Sequence, residues 1–576
     1  MILRVVLAVV VVWIVAAVVV LVVGLLHASH GISDVQQAKA RLSASDIVSN
    51  HPTAALAAAG REFDAANGLL RSPLLAPLDI VPVVGRQLRS VQDLSSASGR
   101  VVHIGERAIT DARTILHQPH HSGPDRVAAL RRLAQLATTT DAALGRIDTG
   151  PSTALVGPVA TKHDTFVRDV ADVRTQLRHA SAVAGTMAGI LQGPQSYLLV
   201  MANNAEMRAG SGDFLEVGVL DTNNGHLALS GIKPTVTIPV PPGKVTATGD
   251  LAARWGWLKP GQDWRNLGYT PQFEVNAPVA AQMWAAETGQ HVDGVLVVDV
   301  ETLRRLLQVT GPITLPDRSV ATADTVVSDL VHDQYVGLTD NPTGAQARAE
   351  GTRQERLGPL AKATLDALQN ESLDLKSVAD AMTEATQGRH LLAWSAQPSA
   401  EDAWQLGGVA GSLTSDSALA AVINRGGNKL DQYLSVKAGL SLQAHGNAPT
   451  AGTLTVRLHN YTPPGQSQFI AGPYPGLGAT YGEYLGLLAV NLPAEARGLR
   501  IDGGPPLVAF GAEGPAWVIA TPVDVKAGQV ATFVVHFSMP AGHGRLTVVP
   551  SARLNPVQWR YRGVTHIDGA RFSLSW

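Results

Sequence analysis

The densest run of chemistry-capable side chains is Asn203-Asn204-Ala205-Glu206-Met207-Arg208-Ala209-Gly210-Ser211-Gly212-Asp213. It follows directly on Tyr197-Leu198-Leu199-Val200-Met201, an apolar run opened by Gly193-Pro194 that reads as a buried strand. Loops at the carboxyl ends of strands are where α/β sheets place ligands. If the strand persists, Glu206 and Arg208 share a face, because side chains two apart point the same way. Arg208 carries the rigid donor fork that clamps a phosphate. Glu206 and Asp213 supply the oxygen ligands a hard cation such as Mg²⁺ takes. The same residue types also permit a structural arrangement, with Glu206 and Arg208 paired to each other and both asparagines satisfying loop backbone. Residue types alone weigh the two equally.

The elements that must position this run begin upstream, where residues 32–191 read as helical. Phe166, Val170, Val173, Leu177, Val183 or Ala184, and Met187 recur in steps of three and four, which lays one apolar stripe along a helix. Val91, Leu94, Val101, Ala108, Ala112 and Ile115 keep a similar register, so the expectation is a helical bundle or hairpin stalk. Pro73-Leu74-Leu75-Ala76-Pro77-Leu78-Asp79-Ile80-Val81-Pro82 breaks it, since closely spaced prolines forbid a continuous helix. Its Leu, Ile and Val either touch lipid or a partner or, the commoner arrangement, pack as a buried loop. Downstream, residues 214–220 and 227–230 flank Asp221-Thr222-Asn223-Asn224-Gly225-His226 and read as a β-hairpin. A helix at 276–287, a buried strand at 294–298 and a helix at 301–308 imply an α/β layer structure. Further helices are expected at 323–335, 345–369 and 375–386. Beyond about residue 428, short alternating segments at 453–458, 484–490, 531–537 and 545–549 suggest an antiparallel β-sandwich.

At the front, residues 5–26 carry no charge, slightly more than the ~20 residues needed to cross ~30 Å of hydrocarbon. The expectation is a membrane-spanning anchor with a cytoplasmic N-terminus and an extracytoplasmic body at the cell membrane. The poor small-x-small site in Gly24-Leu25-Leu26-His27-Ala28-Ser29 leaves cleavage open. The domain organisation read this way is a transmembrane anchor at 1–30, a helical stalk at 31–192, an α/β domain at 193–430 and a β-sandwich at 431–576. The 576 residues, 45% hydrophobic and 16% charged, suit packed domains. A net charge of −2 offers no footprint for a nucleic-acid partner, and the absence of cysteine excludes disulfides and thiolate chemistry. His117, His120 and His121 beside Asp125 could bind zinc or form a solvated loop, the latter being the commoner case. No His-Glu-x-x-His, phosphate-binding Gly-rich loop or Gly-x-Ser-x-Gly elbow is present.

The segment Tyr197 to Arg208 resembles the signature of the bacterial family called domain of unknown function 4012, which shows Gln-Asn-Asn-x-Glu-x-Arg and then a Gly-Gly-Phe turn. Here Ala202 replaces the Gln, and Gly212-Asp213-Phe214 replaces the turn. His291-Val292-Asp293-Gly294-Val295 and Gly426-Gly427-Asn428-Lys429-Leu430-Asp431-Gln432-Tyr433-Leu434 extend the resemblance over most of the chain beyond the anchor. A weaker similarity is to the LytR-CpsA-Psr phosphotransferases, which attach polyprenyl-pyrophosphate-linked glycopolymers to peptidoglycan. Glu206-Met207-Arg208 is similar to that family's first motif, Asp213 to part of its second and Ser230-Gly231-Ile232-Lys233-Pro234 to its third, although one arginine is missing and Lys233 replaces another. That resemblance implies a mixed sheet with helices for the α/β domain. It further implies catalytic Arg208, Asp213 and Glu206, a Mg²⁺ on Glu206 and Asp213, and substrate contacts from Asn203, Asn204 and Lys233. Arg254 and Arg265, among Trp255, Trp257 and Trp264, could compensate for the missing arginine; those indoles suit a sugar or lipid, or pack the loop.

Two functions follow. One is a Mg²⁺-dependent transferase, or a binder, of lipid-linked glycans at the outer membrane face, accelerating phosphoryl transfer by neutralising the pyrophosphate. The other is a non-catalytic scaffold or binding protein of the cell envelope, whose partners are the lipid bilayer and, in either reading, lipid-linked glycan and peptidoglycan.

Overall fold

The computed structural model describes residues 50–118, 122–150, 152–336, 356–370, 374–473 and 476–576, together with Val20 and Leu338. They divide into two compact units, with the main division between Ala188 and Gly189. The expected anchor, residues 1–30, lies outside the described residues except for Val20. Among the described residues no helix is long and apolar enough to cross a membrane, so the architecture that includes a membrane-spanning helix is corrected to helices, mixed α/β sheet and a β-rich C-terminal region. The physical reason lies in the long helices themselves: Pro82–His117 and Gly157–Gln192 each have 36 residues, but Arg, Asp, Glu, Lys or His recurs along both.

In the helical unit, Asn50–Leu70 packs against Pro82–His117. The buried face of the second helix is made of small residues, Ser95, Ala97, Ser98 and Gly99 with Val102, opposite Ala59 and Phe63. Small side chains let two backbones approach closely, which is why the Val91, Leu94 and Val101 register, only half-buried, is not the main seam. On Gly157–Gln192 the expected stripe is half-buried except Val173, which is exposed. The proline-rich segment does interrupt the helices, with a short 3₁₀ turn at Ala76–Ile80. It is not a buried loop, however, because Leu74, Ile80, Val81, Val83 and Val84 face solvent and only Leu75 is fully buried.

The larger unit is built on one strand. β1 (Gln195–Met207) lies between β2 (Gly212–Asn223), antiparallel to it, and β4 (Gly294–Asp299), parallel to it. With β3 (His226–Pro234) and β7 (Leu391–Ser395) they form a five-stranded sheet in the order β3-β2-β1-β4-β7; β5 (Ile313–Thr314) and β6 (Val320–Ala321) make a separate small hairpin. β1 is an unbroken apolar run because both of its faces are covered. Leu198, Val200 and Ala202 enter one core with the helix Phe273–Thr288, while Tyr197, Leu199 and Met201 enter another with the helices Val300–Thr310, Val326–Val331 and Leu357–Asn370. Burial of each large side chain there contributes about 1.5–3 kcal/mol. β2 and β3 close through Asn224 and Gly225, whose φ values of 49° and 77° are those of the hairpin turn that Asn-Gly favours.

The C-terminal region is a sandwich of two six-stranded sheets. One runs β12-β15-β10-β9-β17-β18 and the other β13-β14-β11-β8-β16-β19, where β8 is Ser417–Asn424, β9 Leu434–His445, β10 Ala448–Asn460, β11 Tyr484–Leu492, β12 Arg497–Asp502, β13 Ala509–Glu513, β14 Ala516–Val525, β15 Val530–Met539, β16 Arg545–Val548, β17 Gln558–Tyr561, β18 Val564–Ile567 and β19 Phe572–Ser575. Most pairs are antiparallel, but β16 with β8 and β17 with β9 are parallel. The sandwich takes β8 from before residue 431. Its outer face also closes the first core: Leu419, Ala421, Ile423, Leu487, Ala489, Val518 and Ala520 pack with Leu198, Val200, Met283 and Trp284. The α/β sheet and the sandwich therefore share one core within one unit.

This sharing has a direct consequence. A fragment of residues 193–430 leaves β8 without β11 and β16 and strips Leu487, Ala489, Ala509, Ala516, Val518, Ala520 and Val549 from that core, so it is expected to bind 8-anilinonaphthalene sulfonate and to unfold without a cooperative transition. Thermal melting of the fragment beside the full chain checks this.

Candidate functional site

β1 loses its regular pairing with β2 near its end, with register shifts after Met201 and after Asn203. The backbone released there is taken up by the sandwich: the Met207 N–H donates to Asp431 Oδ2 at 2.9 Å. The chain then turns, Arg208 N donating to Ser211 O at 2.8 Å, and returns as β2 with Asp213 near its start.

This geometry buries the whole cluster, and each ionised group faces an opposite charge. Arg208 Nη2 lies 3.1 Å from Asp213 Oδ2. Its other donors reach Arg265 O (2.9 Å, from Nε) and, from Nη1, Met207 O and Asn424 O (3.2 and 3.0 Å). Four of the five guanidinium N–H groups are thereby engaged, and the Tyr269 ring lies 5.5 Å below. Burial works against the Arg208 charge, but Asp213 together with Tyr269, Glu206 and Asp431 outweighs it and holds the guanidinium firmly protonated. Burial pushes the Asp213 carboxyl up, against the opposing pull of Arg208; its Oδ1 finds no hydrogen-bond partner. Glu206 pairs with Lys429 rather than with Arg208. The Lys429 ammonium also sits 5.0 Å from the Tyr335 ring centroid and 5.2 Å from that of Phe469, a cation–π setting. Asp431 completes the cluster: Oδ1 accepts from Arg553 Nη1 at 2.7 Å and from the Tyr484 hydroxyl at 3.0 Å, and Oδ2 accepts from Asn424 Nδ2 at 3.0 Å.

Both asparagines tie backbone together. Asn203 accepts from Ala205 N and donates to Leu330 O and the Tyr335 hydroxyl. Asn204 accepts from Val300 N and donates to Ala552 O and to Asp299 Oδ2. Asp299 in turn caps the helix Val300–Thr310 through Thr302 N and meets His390 Nδ1 at 2.6 Å. Burial depresses the His390 proton affinity, and Asp299 more than restores it.

The remaining sequence-derived candidates lie elsewhere. Lys233 is exposed on β3 opposite Val217. Arg254 Nε donates to Ala512 O at 3.0 Å. The Arg265 side chain is held by Asp263 at 2.7 Å, and only its carbonyl reaches Arg208. Burial raises and Arg265 lowers the Asp263 carboxyl, with a net depression. Of the three indoles, Trp255 and Trp264 are buried and bonded to Glu513 Oε1 and Ile238 O, while Trp257 is exposed beside Arg425. Arg208, Arg254 and Asp213 thus do not converge on an open groove. The Glu206 and Asp213 carboxylates do not fit a Mg²⁺ site, because each already neutralises a buried cation of the protein. His120 and His121 lie outside the described residues, His117 faces Asp374 at 3.4 Å, and Asp125 caps Ser122. Among the described residues no group of three or more His, Cys, Asp or Glu is placed to hold a metal.

Sequence reasoning missed Lys429, Asp431, Asn424 and Arg553 as members of the cluster. The available signal was the resemblance that runs through Gly426 to Leu434, which includes Lys429 and Asp431 on either side of Leu430.

Two outcomes follow. Arg208→Met leaves the buried Asp213 carboxylate without its cation, so the full chain is expected to lose about 3–5 kcal/mol of stability by urea unfolding at pH 7. The folded-state value of Asp213 lies above its unfolded one, so its contribution is present below the unfolded value and is lost as pH rises through the folded one. The stability of the parent relative to Asp213→Asn is therefore expected to fall as pH rises from 4 to 7, read by urea unfolding at each pH.

Neither a curated protein nor a solved structure matches the chain, and the expected LytR-CpsA-Psr likeness has no support from either. The described family match is narrower than the motifs suggested, since it ends before Lys429 and Asp431. Residues 192–335 match the family model described as Protein of unknown function (DUF4012).

Proposed function

We propose that the chain is a non-catalytic scaffold or binding protein of the bacterial cell envelope, with its body on the extracytoplasmic side. One observation carries the non-catalytic part: Glu206, Arg208 and Asp213 are 7%, 6% and 1% exposed, and each is matched by a charge of the protein itself. A site that turns over a pyrophosphate keeps cationic donors open to the substrate and places them where charge develops. Here the Arg208 donors are spent on Asp213 and on backbone carbonyls, and Lys233, Arg254 and Arg265 point to other tasks. The cluster acts instead as a polar fastening between the α/β sheet and the sandwich. Two parts that share one core and a buried polar fastening suit presentation of surfaces more than turnover. The envelope placement rests on the sequence, on the uncharged residues 5–26, which apart from Val20 lie outside the described residues.

Two measurements test the two halves separately. The purified full chain is expected to show no Mg²⁺-dependent turnover of a polyprenyl-pyrophosphate-linked glycan; turnover that disappears in Arg208→Lys would overturn the non-catalytic reading. A reporter fused after Trp576 is expected to be active only outside the cytoplasm, and activity confined to the cytoplasm contradicts the envelope placement.

A further inference from the structure

One end of the helical unit is formed by two loops with an unusual surface. In the first, around the turn Ala76–Ile80, the side chains of Leu74, Ile80, Val81, Val83 and Val84 are exposed, Ile80 at 83% and Val83 at 65%. The second runs over residues 152–157 and exposes Ala154 and Val156. The two are joined by the side-chain amide of Gln87, which donates to Ala154 O at 3.1 Å and accepts from Val156 N at 3.0 Å. Single exposed aliphatics need no explanation, but a contiguous set on one end does.

Three observations say what covers it. First, much of the turn's backbone is bonded from within: Leu75, Ala76, Leu78, Val81 and Gly85 donate to carbonyls of Ser72, Pro73, Leu75, Leu78 and Val81, Pro73, Pro77 and Pro82 have no N–H to satisfy, and only the first-turn donors of Val83 and Val84, on a helix that no side chain caps, stay open for water or headgroups. Gly85 makes this fold possible, since a Cβ there would stand 2.4 Å from Asp79 O. Few open backbone donors lower the cost of a shallow insertion at the headgroup boundary. Second, the exposed side chains of the tip, Leu74, Ile80, Val81, Val83 and Val84, are all aliphatic and carry no polar atom that a specific partner would have to match. Third, the exposed cations Arg71, Arg86, Arg89 and Lys162 flank the two loops, where the turn itself holds one half-buried acid, Asp79, and the acids Asp93, Asp148 and Asp164 lie just beyond. Val20, the described residue of the uncharged N-terminal run, packs on Leu75 and Leu88 at the base of the same turn.

We propose that this end of the helical unit inserts Ile80, Val81, Val83 and Val84 into the surface of an anionic lipid bilayer, with the arginines held against the headgroups. Aliphatic side chains leave water for the acyl boundary, and each nearby cation gains from the negative surface potential. The inference uses the helical unit alone and does not depend on the reading of the β1 cluster.

The chain has no cysteine, so Ile80→Cys carries a single environment-sensitive fluorophore, with Arg61→Cys on the exposed side of the helix Asn50–Leu70 as a control. The labelled full chain is reconstituted with phosphatidylcholine vesicles or with vesicles that also contain phosphatidylglycerol. The label at position 80 is expected to shift to the blue and to be quenched by acyl-chain nitroxides in the anionic vesicles, while the label at 61 stays in water. Replacing Arg71, Arg86 and Arg89 by Gln is expected to lower the ratio of inserted to exposed label on the order of 100-fold, at roughly a factor of five for each cation. A label at 80 that stays in water with anionic vesicles overturns the proposal, as does one that responds equally to neutral vesicles. A blue shift without lipid that grows with protein concentration would assign the tip to a second copy of the chain instead.

Discussion

Taking an ionised side chain out of water costs several kcal/mol even after the protein relaxes, and the end of β1 takes Glu206 and Arg208 out of water within three residues. That cost constrains what must lie beside β1. Glu206 needs the Lys429 ammonium, Arg208 needs the Asp213 carboxylate, and the Met207 N–H, left unpaired where the strand register slips, needs an acceptor that Asp431 supplies. Lys429 and Asp431 belong to the connection between β8 and β9, so the sandwich cannot be displaced without stranding charge at the centre of the molecule.

The apolar interior follows the same division. Alternate residues of β1 feed two different cores, and the core under Leu198 and Val200 is closed by the sandwich rather than by helices alone. Hydrophobic burial supplies the bulk of the stabilisation but little directional information. The ion pairs contribute the complement, since a buried pair adds little net energy over an apolar substitute yet permits few alternative arrangements. On the proposed non-catalytic reading, conformational specificity of this kind accounts for a dense polar cluster that opens no groove.

Much of the local structure was legible in the residues. The unbroken apolar run of β1 announced a strand covered on both faces, Asn224-Gly225 announced the hairpin turn, and the three-and-four spacing marked the long helices. What was not legible has a common cause in sequence separation. Glu206 and Lys429 are 223 residues apart and Asp431 and Arg553 are 122 apart, and no local periodicity encodes which distant cation meets which carboxylate. Glu206-x-Arg208 could be read as a phosphate clamp or as a mutual pair, and the mutual pair gave way to two separate pairs, with Lys429 and with Asp213, for that reason. β8 was placed with the α/β region because a short, fully buried apolar strand looks the same in either sheet. For the turn near Ile80, contact with lipid or a partner ranked below a buried loop because its composition suits burial, and it is the exposure of Leu74, Ile80, Val81, Val83 and Val84 that reverses the order.

The central claim, that charge pairing at the end of β1 fastens the sheet to the sandwich, is tested most directly by a double-mutant cycle on Glu206 and Lys429 measured by urea unfolding of the full chain. Lys429→Met alone is predicted to cost about 3–5 kcal/mol because it strands a buried carboxylate, and the pair Glu206→Gln with Lys429→Met is predicted to restore most of that loss. Single variants that unfold at the same urea concentration as the parent would contradict the account.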